Sequence, residues 1–120
     1  MIIDVYDILD LAMEFSVNIM RTRKHLFIRH QAENYKQLNI YGRDIFLHIE
    51  KSNKTDDVDE FLSNLESALE ETYKAIDLID KLRQKNFIDR EMDIKFIKSY
   101  EKIKAKLSST IEEVKAKQTN

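Results

Sequence analysis

The chain has 120 residues, with no cysteine, no proline, one glycine and a net charge of −2. These features exclude a disulfide framework, a thiolate zinc site and a cysteine nucleophile, and they disfavour sheets, whose tight turns use glycine or proline. The acidic balance excludes a protein that binds nucleic acid over its whole surface. We predict a single all-α domain that spans residues 1–120.

The first predicted helix begins near Asp4, a good capping residue, and carries two apolar stripes. The first stripe comprises Val5, Ile8, Ala12, Phe15 and Ile19, and the second comprises Tyr6, Leu9, Met13, Val17 and Met20. Acidic residues interrupt both stripes, so we expect neither a secretory signal nor a membrane span, and we expect a cytoplasmic protein. Two stripes mean that this helix is either nearly enclosed or in contact with another chain.

A helix break is predicted between Arg21 and Gln31, and a second helix from Ala32 to Lys51. Gly42 lies inside this helix, where it costs about 1 kcal/mol relative to alanine. That cost indicates a compensating close approach to a neighbouring helix. The polar segment 52–57 is predicted to be a loop, with Thr55 or Asp56 as the cap of the next helix.

A helical hairpin is predicted from there to about Ala116, because apolar residues recur at steps of three and four. The stripes of its two arms comprise Phe61, Leu62, Leu65, Ala68, Leu69, Thr72, Ala75, Ile76, Ile79, Leu82, Met92, Phe96, Tyr100, Ile103, Leu107, Ile111 and Val114. Asn86 should end the first arm in a left-handed conformation, and Asp89 should cap the second. Four helices with short connections predict an antiparallel up-down-up-down four-helix bundle.

Opposite charges are concentrated in two segments of the chain. Residues 20–43 contain six Lys or Arg and one Glu, whereas residues 50–71 contain eight Asp or Glu and two Lys. Either the basic segment binds phosphate, with His25, Tyr35 and Tyr41 placed among its cations, or it contacts the acidic segment of another copy. The candidate nucleic-acid-binding residues are Arg21, Arg23, Lys24, Arg29, Lys36 and Arg43.

Candidates for metal binding and catalysis are sparse. His48 lies four residues after Asp44, but no histidine has the Glu-x-x-His spacing of carboxylate-bridged di-iron bundles, so we predict no metal site and no cofactor. Arg43 and His48 do match the Arg-x4-6-His signature of HEPN ribonucleases, in which two protomers cleave RNA without a metal. Arg23 and His30 fit the same loose spacing. A HEPN-like ribonuclease is therefore the enzymatic alternative to a protein without catalytic activity.

Several features of the chain follow one another in a familiar order. Tyr41-Gly42-Arg43 opens an apolar helix, and the segments 61–69 and 78–82 and the corner 86–88 follow a polar loop that holds Asn53. This order resembles the four-helix bundle family of the ribosomal-RNA intervening-sequence proteins. It is especially similar to the accessory variability determinant (Avd) proteins of diversity-generating retroelements, and the similarity covers residues 41–111.

The resemblance to Avd implies a ring-shaped homopentamer that is not itself an enzyme. It also implies two partners, the reverse transcriptase of the retroelement and its template RNA, and a role in supporting mutagenic cDNA synthesis. A third interpretation stays open beside the accessory protein and the ribonuclease. In that interpretation the chain is a plain oligomeric assembly module that binds no nucleic acid.

Overall fold

The computed structural model describes residues 2–118, which form five helices and no β-strand. The helices are α1 (Tyr6–Arg21), α2 (Arg23–Ile28), α3 (Ala32–Asn53), α4 (Val58–Gln84) and α5 (Arg90–Gln118). The four long helices, α1, α3, α4 and α5, run alternately up and down. The predicted all-α four-helix bundle is therefore confirmed, and α2 is a short addition within the predicted break.

The long helices form a four-sided bundle in which each packs against the next and α5 packs back against α1. The bundle measures 52 × 20 × 18 Å. The chain crosses between its two ends four times, so α2 and the α4–α5 corner lie at one end, while the α3–α4 loop lies at the other. Within residues 2–118, no helix is long and apolar enough to cross a membrane.

The predicted apolar stripes are buried to different extents. The first stripe of α1 is buried, as is the predicted stripe of the α4–α5 hairpin except for Leu69, Ile76 and Met92, which are half-buried. The second stripe of α1 is not enclosed, because Tyr6, Met13 and Met20 are each more than half exposed. The core therefore uses one face of α1 and leaves a largely apolar face in water.

Gly42 lies on the side of α3 that packs against α1. A Cβ atom at this position would lie 2.9 Å from Cδ1 of Ile19 and 3.2 Å from Oγ of Ser16. The first distance is shorter than real carbon contacts, so the Ile19 side chain would have to shift if residue 42 carried a Cβ, which would lie 3.9 Å from Cα of Ser16. The predicted close approach is confirmed.

The N-caps of α1 and α4 differ from the predicted ones. The prediction that Asp4 is the N-cap of α1 is wrong, since α1 begins at Tyr6 with Val5 as its N-cap; Oδ1 of Asp4, one residue earlier, accepts the N–H of Tyr6 at 2.8 Å. The predicted cap of α4, Thr55 or Asp56, is wrong: Oδ1 of Asp57 accepts the N–H of Glu60 at 3.1 Å. Asp57 serves because its backbone is extended, with ψ at 119°, which is the conformation that an N-cap requires.

The α4–α5 corner follows the prediction closely. Asn86 has a φ of 61°, and the N–H of Phe87 donates to the carbonyl of Leu82 at 2.9 Å, which is the Schellman pattern of helix termination. Asp89 caps α5 through its Oδ1, which accepts the N–H of Met92 at 2.8 Å. Both elements of the predicted corner, the left-handed asparagine and the capping aspartate, are confirmed.

Arg83 fastens the end of α4 to α5. Its Nε donates to Oδ1 of Asp93 at 2.7 Å, and its other nitrogens contact Tyr100 and Asp80. These hydrogen bonds, chiefly the one to Asp93, raise the pKa of the Arg83 guanidinium above its usual value against the opposing effect of burial. The charged guanidinium therefore links the two arms of the hairpin.

Candidate nucleic-acid interface

The break between α1 and α3 contains a short helix rather than an irregular turn. Thr22 separates α1 from α2, with its hydroxyl bonded back to the carbonyl of Ile19 at 2.6 Å. Leu26 is fully buried and anchors α2 on the bundle. The helix ends at Ile28 and is followed by His30, whose φ is 60°, and the N–H of Gln31 donates to the carbonyl of Leu26 at 2.8 Å. Burial of Leu26 and this Schellman ending fix α2 at one end of the molecule.

Four of the six candidate cations lie together on this short stretch. Arg21, Arg23, Lys24 and Arg29 are all exposed, and we name them the α2 cation cluster. Among residues 2–118, no carboxylate lies within ion-pair distance of any of the four, whereas eleven other pairs of side chains do form ion pairs. Arg29 bonds instead to Nδ1 of His25 at 3.0 Å. The cluster therefore presents four cations to solvent outside any ion pair, and Arg21 shares a surface pocket with Asp89 and Glu91.

The other two candidate cations lie outside the cluster. Lys36 pairs with Glu33, and Arg43 pairs with Asp44, each at 3.3 Å. Arg43 also lies about 10 Å further along α3 than Lys36, at a rise of about 1.5 Å per residue. There it borders an apolar groove between α1 and α3 that is lined by Met13, Ser16, Asn39, Phe46 and Leu47. The structure therefore separates Arg43 from the charges with which it was grouped.

The aromatic residue exposed at the cluster is not one that the sequence indicated. Tyr35 is buried and Tyr41 is half-buried, so neither offers a free ring. Phe27 and Ile28 of α2 are instead 40% and 64% exposed. The only sequence signal was the run Leu26-Phe27-Ile28, and a helix of six residues is too short for its periodicity to show which member faces the core.

Charge is also divided along the length of the bundle. Residues 14–42 and 72–104, which share the half that contains α2, include 14 Lys or Arg and 8 Asp or Glu. The remaining residues include 6 Lys or Arg and 14 Asp or Glu. Since alternate helices run in opposite directions, segments that are far apart in sequence add their charges at the same end. One half has a net charge of +6 and the other of −8.

Arg43 and His48 do not share a face of their helix. Five residues at about 100° each place them about 140° apart around α3. The guanidinium of Arg43 is exposed beside the α1–α3 groove, whereas His48 is half-buried and its buried Nδ1 has no hydrogen-bond partner within residues 2–118. In the same described part, no three His, Asp or Glu side chains are grouped so that they could hold a metal ion.

Comparison with known proteins identifies the fold. No family model and no curated protein matches the chain. A crystal structure at 1.70 Å resolution, of a protein of unknown function from the S23 ribosomal protein family of Bacteroides thetaiotaomicron VPI-5482, matches with a TM-score of 0.83. The two chains are 23% identical, and the match covers 89% of this chain and 96% of that one. At this identity the likeness shows that both chains have the same helical bundle.

Proposed function

We propose that the protein is a non-enzymatic RNA-binding accessory protein of the Avd type that acts as a homo-oligomer. The observation that carries the proposal is the α2 cation cluster, four exposed cations without carboxylate partners in the described part of the chain. Exposed cations outside any ion pair are suited to phosphate, because no ion pair must be broken before phosphate binds. The ribosomal family name of the structural neighbour also favours RNA as the partner.

The first test measures RNA binding as a function of salt. Wild-type protein should bind labelled RNA with an affinity that falls steeply between about 50 and 200 mM salt, because counterions are released from phosphate. The triple variant Arg21→Glu, Arg23→Glu, Lys24→Glu should bind far more weakly, with a logarithmic salt slope smaller by about 2, which is the effect of three lost phosphate contacts. Fluorescence anisotropy titrations measure both quantities.

The matched control reverses three cations in the opposite half of the bundle. Lys54, Lys115 and Lys117 are exposed there, and their change to Glu alters the net charge by the same amount. This control should retain most of the affinity, since it leaves the α2 cation cluster intact. Equal losses in the two triple variants would contradict a localised site, and absent or salt-independent binding in the wild type would defeat the proposal. RNA cleavage that disappears in His48→Ala would instead support the ribonuclease.

The resemblance of residues 41–111 to Avd proteins supports a more specific form of the proposal. In that form the homo-oligomer binds the reverse transcriptase and the template RNA of a diversity-generating retroelement. Purified reverse transcriptase of such an element, given its template RNA, should then make cDNA only when the protein is added, and the α2 triple variant should lower the yield. Synthesis that is indifferent to the protein would contradict the retroelement role and leave RNA binding to be judged separately.

A further inference from the structure

We infer that α2 is a stacking platform for an unpaired base, so that the RNA which binds this end of the bundle is single-stranded. The inference rests on the proposed function and adds to it the structural class of the RNA. It comes from the pairing of an exposed aromatic ring with an arginine inside the α2 cation cluster. Three features favour a single strand: the support of the ring by a core residue, the arginine beside the ring, and the small size of α2.

The Phe27 ring is held in place from behind. Its centroid lies 5.7 Å from the centroid of Tyr35, with the two rings inclined at 75°, an edge-to-face contact. Tyr35 is 8% exposed and belongs to the core, whereas Phe27 is 40% exposed. Edge-to-face pairs of this kind stabilise the packing of the two rings beyond the burial of their surface. Phe27 therefore has a fixed orientation at the surface before any ligand arrives, which lowers the entropy lost on binding.

Arg23 supplies the cation of the platform. Its Cζ lies 4.9 Å from the centroid of the Phe27 ring, four residues away on the same helix. This guanidinium forms no ion pair with a carboxylate of residues 2–118, so it can interact with the Phe27 ring and with a ligand from solvent. Planar guanidinium groups and aromatic rings both stack on nucleobases, and such stacking is a main source of affinity in proteins that bind single strands.

The size and composition of α2 favour a single strand over a duplex. Six residues at about 1.5 Å each make a helix of about 9 Å, which can contact only one or two nucleotides. Bases in a duplex are already stacked on each other, so a duplex would meet the cations with its phosphates and leave Phe27 and Ile28 without a partner. A single strand can place a base on the Phe27–Arg23 pair and the adjoining phosphate on Lys24, the residue after Arg23 on α2.

A membrane surface is the competing partner for cations beside exposed apolar residues. The position of Arg23 disfavours it, since insertion of Phe27 among acyl chains would draw the guanidinium that covers the ring into the hydrocarbon. The helix is also too short to bury a continuous apolar face in a bilayer interface. RNA is therefore the partner that we propose, and membrane binding is a possible result of the test below.

The test uses two substitutions that preserve charge. Phe27→Leu removes the ring, and Arg23→Lys removes the planar cation while leaving the charge. Each should weaken binding to an unstructured RNA of about ten nucleotides roughly tenfold, the loss expected for one stacked base, with an unchanged salt slope. The wild type should bind a blunt RNA duplex of the same length more weakly than it binds the single strand. Neither substitution should change the affinity for the duplex. Anisotropy titrations with the full-length protein measure all six combinations of protein and RNA.

Tyr73→Leu is the matched control, because Tyr73 is also exposed, at 48%, but lies on α4 away from the cluster. It should bind both RNAs like the wild type. Thermal unfolding followed by circular dichroism checks that all variants fold, and Arg23→Lys keeps the test informative if Phe27→Leu loosens α2.

The possible failures are distinguishable. Single-strand affinity that is unchanged in both variants, or equal affinity for duplex, would overturn the stacking inference and leave RNA binding intact. Absence of RNA binding in the wild type would defeat the proposed function itself. Wild-type binding to vesicles of phosphatidylglycerol and phosphatidylcholine that weakens in Phe27→Leu, without RNA binding, would replace RNA by a membrane.

Discussion

At the scale of single residues, two residues within the range 2–118 have a left-handed backbone conformation, and neither is glycine. His30 has a φ of 60° and Asn86 a φ of 61°, and each ends a helix with the same pair of backbone hydrogen bonds. Asparagine visits this region more readily than most residues, which is why it could be identified in the sequence. Histidine gives a weaker signal, so the left-handed turn at His30 that follows α2 was not predicted.

The left-handed position at the α4–α5 corner makes a prediction about stability. Asn86→Gly should leave the free energy of unfolding unchanged or raise it by up to about 1 kcal/mol, because glycine adopts this φ without strain. Asn86→Ala should lower it by about 1 kcal/mol, since a Cβ is disfavoured there. Urea denaturation measures both changes.

Lys85→Gly is the control for this prediction, because Lys85 precedes Asn86 and has an ordinary φ of −93°. Glycine at that position should lower the free energy of unfolding, since it only adds chain entropy to the unfolded state. The same response to glycine at residues 85 and 86 would show that backbone strain at Asn86 is not what distinguishes the corner.

At the scale of the helices, the contact between α1 and α3 depends on the missing side chain of Gly42. A glycine within a helix lowers stability by about 1 kcal/mol relative to alanine when nothing else changes. Here the space that alanine would need is occupied by the Ile19 side chain, which is fully buried, and by the Ser16 hydroxyl. The packing of two helices, rather than helix propensity, therefore decides the effect of a substitution.

We expect Gly42→Ala to lower the free energy of unfolding by about 1 kcal/mol, because overpacking at about 1–3 kcal/mol outweighs the gain in helix propensity. In an Ile19→Val background, which lacks the atom 2.9 Å from the new Cβ, the same change should be neutral or stabilising. A double-mutant cycle measured by urea denaturation gives the coupling between the two residues. Equal effects of Gly42→Ala in both backgrounds would contradict the contact with Ile19 as the reason for glycine.

At the scale of the whole molecule, charge and apolar surface are both unevenly distributed. The half with α2 has a net charge of +6 and the other half of −8. Of the ten large apolar side chains exposed within residues 2–118, seven lie on α1, α2 or α3. The face formed by α1 and α3 exposes Tyr6, Met13, Met20, Ile40 and Leu47. We propose a second copy of the chain as its occupant, with basic and acidic halves in contact.

Light scattering tests this assembly. The Avd resemblance leads us to expect a mass about five times the 14.3 kDa of one chain at low salt, and a smaller mass at high salt because contacts between opposite charges are screened. Met13→Glu should shift the protein towards monomers without changing its circular dichroism spectrum. Ser63→Glu, at an exposed position on α4, is the control and should leave the mass unchanged. A wild-type monomer at all salt concentrations would contradict self-association, and a dimer would favour the two-protomer cleft of the ribonuclease alternative.

The sequence by itself determined the number and direction of the long helices, the first stripe of α1, the hairpin core, the role of Gly42 and the α4–α5 corner. Each of these follows from local rules. The periodicity of apolar residues, the capping residues and a glycine within a helix can all be identified from residues that are close together in the sequence. Only the tertiary structure decided that α2 is a helix anchored by Leu26, that Phe27 rather than Tyr35 is exposed, and that Arg43 lies apart from the other cations. These depend on which side chain the rest of the bundle buries, and a segment of six residues is too short for its own pattern to specify that.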